Sequence, residues 1–169
     1  MDDDAAAQRR RYLTIYLQDH RAGAEAGVRL AERCRDHAPD PDAADELGRL
    51  VTEIDEDRRA LATIMAGLDV EPSKVKQLAG VAAERLGRFK LNGRMVTTSP
   101  LSVLVELEGL VGAVSVKREL WVTLRHLTDP SQPDVELDRL IGRADDQRTR
   151  LQRLHDVVSR ALFEAAAHD

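Results

Sequence analysis

The chain has little of most things that announce an activity. A single cysteine, Cys34, in 169 residues excludes an internal disulfide and points to a reducing compartment. Aromatic residues make up 3%, too few for the stacking platforms that hold single-stranded nucleic acid, and a net charge of -5 argues the same way. No apolar run nears the roughly 18 residues that a membrane-spanning helix needs. The N-terminal MDDDAAAQRRR carries no apolar segment of a secretory signal. A phosphate loop, a nucleotide-binding glycine pattern, zinc-ligand spacing and a nucleophile elbow are also missing. These absences describe a soluble, cytoplasmic protein with no integral membrane segment, no nucleic-acid partner and no mark of an enzyme.

What is present is helical periodicity, with no strand alternation competing against it. A first helix is expected from about Arg10 to Cys34, with Leu13, Leu17, Ala24 and Ala31 on one stripe, behind a flexible tail of residues 1–9. The segment 36-DHAPDPD-42 ends it and can cap the next. The second helix runs from about Ala43 to Leu68, with Leu47, Leu50, Ile54, Leu61 and Ile64 spaced by threes and fours. Residues 69–98 form a long connection containing a short amphipathic helix, roughly Lys74 to Phe89, ended by Asn92-Gly93. A third helix opens at 99-SPLS-102, with Ser99 as N-cap and Pro100 at the first helical position, and continues to about Leu127. A short turn leads to the fourth, about Val135 to Phe163, all within one bundle domain of residues 10–169.

Short loops make the first pair and the last pair of helices antiparallel, and the long crossover can return along the bundle to make the second and third parallel. This all-α, up-down-down-up four-helix bundle with a long crossover containing a short helix resembles the ferritin-like fold. The stretches 16-YLQDH-20 and 99-SPLS-102 resemble signatures of an uncharacterised bacterial family within it. The resemblance implies a metal-dependent oxidoreductase holding iron or manganese, but the Glu-x-x-His pairs of that site are missing here. The second helix has Glu53-Ile54-Asp55-Glu56 with no histidine at the required spacing, and in the fourth Asp145 and Asp146 are followed three residues on by Arg148 and Thr149.

Each long helix interrupts its apolar stripe with one polar residue: His20, Asp57, Lys117, and Gln147 or Arg148. In 50-LVTEIDEDRRAL-61, Asp55 and Glu56 fall on the solvated face, Glu53 borders the core and Asp57 belongs to the stripe. His20 and Asp57 are equidistant from the first turn, Lys117 and Gln147 from the second. Asp57 and Lys117 each precede the end of their helix by about three turns. All four are therefore expected in one buried polar layer, with Asp57 paired to Lys117. Three readings compete for it: a structural layer that fixes register, an unusual mononuclear metal site using His20, Glu53, Asp57 and Glu108, and a small-ligand or catalytic pocket without a specific motif. The expected function is a non-catalytic binding or assembly module, needing no cofactor; the alternative is the metal-binding protein or oxidoreductase.

Smaller signals complete the reading. Glu108 and His155 could meet, and with Glu106 form a second ligand cluster. Basic residues crowd the crossover between 74 and 94, where they could touch phosphates or an acidic surface. Arg33 and Arg35 beside Cys34 could lower its pKa. Gly23 and Gly27, with Ala24 and Ala31, leave one face of the first helix small, which implies close helix approach and would admit a homodimer.

Overall fold

The computed structural model describes residues 2–71, 100–128 and 134–165. Four helices account for nearly all of them: α1 (Asp2–Asp36), α2 (Pro41–Gly67), α3 (Pro100–Leu127) and α4 (Val135–Ala165), with no strand among the described residues. None of these helices is long and apolar enough to cross a membrane. The expected crossover helix, the basic run between 74 and 94 and the Ser99 cap lie outside the described residues.

Helix α1 begins at Asp2, well before the expected start at Arg10, so residues 2–9 are helical rather than a tail. Residues 3–12 are exposed and gain nothing from the core. Local terms hold them instead: alanines at 5–7 are the best helix formers, and Asp3 and Asp4 sit at the positive end of the helix dipole. Periodicity cannot register turns that bury nothing.

The boundaries of α2 follow from local chemistry. Asp40 is extended and its side chain accepts the Ala43 amide at 2.8 Å, with Pro41 in the first turn. At the other end the Val70 amide donates to the Met65 carbonyl (2.9 Å) and the Asp69 amide to that of Ala66 (3.2 Å). This closure puts Asp69 at φ 53°, a left-handed value usually left to glycine but tolerated by aspartate. It folds Val70 back into the core beside Met65. Asp134 caps α4 by accepting the Leu137 amide at 3.1 Å.

Contacts between helices set their directions. Glu25 meets Arg58 and Arg10 approaches Asp69, so α1 and α2 are antiparallel. Tyr16 donates to Thr123 and His37 bonds Glu106, so α1 is also antiparallel to α3. Lys117 with Gln147, and Arg125 with Asp138, make α3 and α4 antiparallel. The core between them includes Leu17, Leu50, Leu61, Leu107, Leu120, Trp121, Leu140 and Leu151, all essentially inaccessible to water. Helices α2 and α4 differ from the other neighbours: they have few close backbone approaches and are bridged by long charged side chains.

Candidate functional site

Asp57 lies three residues after Ile54 and four before Leu61, so the period that buries those two carries its carboxylate inward as well, to 1% exposure. There it is met from two helices. Lys117 Nζ of α3 donates to Asp57 Oδ2 at 2.5 Å and to Gln147 Oε1 at 2.5 Å. Gln147 Nε2 of α4 donates to the same Asp57 oxygen and to Glu53 Oε2, both at 3.2 Å. The second Asp57 oxygen accepts from Arg143, which also bonds Glu56 at 2.7 Å. Burial pushes the Lys117 ammonium below its ordinary pKa, with Asp57 pulling the other way and Arg143 adding to the depression.

Of the four residues expected in one layer, Asp57, Lys117 and Gln147 are brought into direct hydrogen bonding. His20 is not bonded to them; its ring packs edge-on to Tyr16 with centroids 4.4 Å apart, and it borders a cavity that Asp57 and Lys117 also line. Burial lowers its pKa, against the opposing charge of Asp19. Arg148 turns outward to Asp145 at 3.2 Å.

Sequence reasoning missed Arg143 and Arg150. Arg150 bonds both Glu53 oxygens at 2.8 and 2.9 Å, Glu46 at 2.5 Å and Asp146 at 3.0 Å. Burial alone would lower its pKa, but the hydrogen bonds it donates to those carboxylates raise it. Glu46 responds in kind, its pKa held down by Arg150 and Arg49 against the effect of burial. A signal existed: Arg143, Gln147 and Arg150 recur at helical spacing, as do Glu46, Glu53 and Glu56 on the facing helix. Flanking the stripe, the two arginines read as solvated because long side chains on an edge reach either way.

Several other expectations need correction. Glu106 bonds His37 (3.0 Å) and approaches Arg33 (3.5 Å), whereas Glu108 meets His155 at 3.4 Å, so these acids belong to separate pairs and form no joint cluster. The Cys34 thiol is fully buried, and its pKa is pushed up to about 12 by burial and the nearby Glu106 charge, outweighing Arg33. The small face of α1 does not serve close helix approach: a Cβ built at Gly23 or Gly27 would meet nothing within 4 Å.

Those glycines instead border a cavity of about 500 Å³ between α1, α2 and α3. From α3 come Gly109, Gly112 and Ala113, and a Cβ at Gly112 would likewise meet nothing. Its lining is mainly aliphatic, with Asp57, Lys117, His20 and Trp121 as polar points and Asp19, Arg58 and Glu108 as further charged ones. Trp121 is 1% exposed and its indole N–H has no partner among the described residues. Buried donors are nearly always satisfied, so an orphaned one beside a cavity marks a place where an acceptor would be welcome.

The residues present do not fit the metal centre of a ferritin-like oxidoreductase. Asp57 is occupied by two cations that would repel a third, Glu53 is held by Arg150 and Gln147, and Glu108 by His155. Among the described residues, no three His, Cys, Asp or Glu side chains converge as metal ligands. Compared with protein-family models, curated proteins and solved structures, the chain matches none of them.

Proposed function

We propose that this protein is a non-catalytic binding module of ferritin-like, up-down-down-up topology. The antiparallel contacts of α1 with α2 and α3, and of α4 with α3, support that topology. The charged layer at Asp57 fixes helix register, because any sliding of α2 past α4 would break the buried bonds that Asp57 accepts from Arg143 and Gln147. The ligand site is the adjoining cavity. One observation carries this reading: glycines on two helices open a space in the range of small-molecule pockets, roughly 300–1,000 Å³, against buried polar groups.

The test is calorimetric titration with 1-decanol, an uncharged apolar probe, on the wild type and on Gly27→Leu. Gly27 is buried and a Cβ there would meet nothing within 4 Å, so leucine there directs its side chain into the cavity. Saturable binding to the wild type that Gly27→Leu abolishes supports the module. Equal binding to both proteins, or none to either, defeats it.

A further inference from the structure

We infer that the cavity takes an apolar molecule ending in a single carboxylate, of the class of a medium-chain fatty acid anion, with its head set against Lys117 and the Trp121 indole N–H. This rests on the cavity being the binding site proposed above.

Two observations point to an acceptor-bearing end. Trp121 can only donate, is buried, and has no partner among the described residues. Lys117 has three donors; two go to Asp57 and Gln147, and none of the described residues takes the third. Lys117 and Arg143 are balanced by Asp57 and Glu56, so it is the unused donors that select the head. A carboxylate accepts from both of them, whereas an ammonium would bring only further donors.

The tail follows from the aliphatic majority of the lining, the remaining charged residues being Asp19, Arg58 and Glu108. Ile54, Leu61, Leu110, Val114 and Leu120 offer no hydrogen-bonding side chain, so a sugar, nucleotide or peptide would enter without partners for its polar groups. The glycines at 23, 27 and 112 leave room along the wall for a chain rather than a compact head alone.

The experiment uses decanoate, 1-decanol and decylammonium as matched probes, followed by calorimetry. Emission of Trp121, the only tryptophan of the chain, is followed alongside. Decanoate should bind one per chain and alter the emission, with affinity at least about tenfold above that of decanol; decylammonium should not bind. Lys117→Met should weaken decanoate about tenfold while leaving decanol unchanged. Trp121→Phe, which removes the N–H and leaves no orphan, should do the same by calorimetry. Asp57 keeps Arg143 and Gln147 when Lys117 is replaced, and a thermal melt by circular dichroism verifies folding. Should Lys117→Met not fold, Trp121→Phe and the decanoate-to-decanol ratio decide. Equal affinity for decanoate and decanol would overturn the carboxylate while leaving the cavity reading intact. Binding of neither would defeat both, and non-saturable uptake indifferent to the variants would show surface partitioning and overturn the inference.

Discussion

Toward α4, helix α2 presents Glu46, Glu53, Glu56 and Asp57, and each is met by Arg143, Gln147 or Arg150. Toward α1 and α3 the same helix presents Ile54 and Leu61, which border open space beneath glycines. One side is a seam of answered charges, the other an apolar wall with room in it, and Asp57 belongs to both. The difference lies in what each side tolerates. In the seam a removed group leaves a buried partner unanswered, and that penalty exceeds what the pair contributed when whole. At the cavity an added methyl group finds nothing to displace.

The largest effect tests the seam at its centre. Asp57→Leu leaves Lys117 with no carboxylate bonded to it and Arg143 with only the half-exposed Glu56, and should cost about 3–5 kcal/mol in urea denaturation. Lys117→Met leaves Asp57 with Arg143 and Gln147 and should cost only about 1–3 kcal/mol. If the two variants cost the same, Arg143 contributes nothing and the seam reduces to a single ion pair.

The cavity side should respond with the opposite sign. Gly23→Ala, Gly27→Ala and Gly112→Ala each remove the backbone-entropy penalty of a helical glycine and should stabilise by about 0.5–1 kcal/mol. Gly109→Ala is the internal control, because its Cβ would touch Leu30 at 3.4 Å and should gain less. Destabilisation at positions 23, 27 and 112 would mean tight helix crossings there, and the contrast between the two sides would vanish.

The smallest expected effect is none. With every carboxylate near the layer already answered by a cation, a chelator should leave the melting temperature of the purified protein unchanged. A fall on chelation, restored by iron or manganese with stoichiometric metal in elemental analysis, would return the ligand set His20, Glu53, Asp57 and Glu108 to consideration.

How legible each part was depends on whether it is a local or a shared property. The inward turn of Asp57 can be read from its neighbours, because Ile54 and Leu61 fix which way that face of α2 points. The caps at Asp40 and Asp134 are written in residue types, since an extended aspartate before a helix has a defined job. The early start of α1 leaves no apolar period, because its alanines are exposed. Cys34 misled because the charges beside it in sequence matter less than the burial around it in space.

By itself the sequence determined the four long helices of the described residues, their approximate ends apart from the start of α1, and that Asp57, Lys117 and Gln147 share the faces that pack. Helical period and capping are properties of a few successive residues, so they need no partner. Tertiary structure alone decided that Arg143 and Arg150 cross to the acids of α2 rather than reach solvent, and that Gly23 and Gly27 open a cavity rather than admit a neighbour. Both depend on the separation between helices, which no spacing within one helix encodes: a long side chain goes where its counter-charge is, and a glycine is a contact or a hole according to what stands opposite.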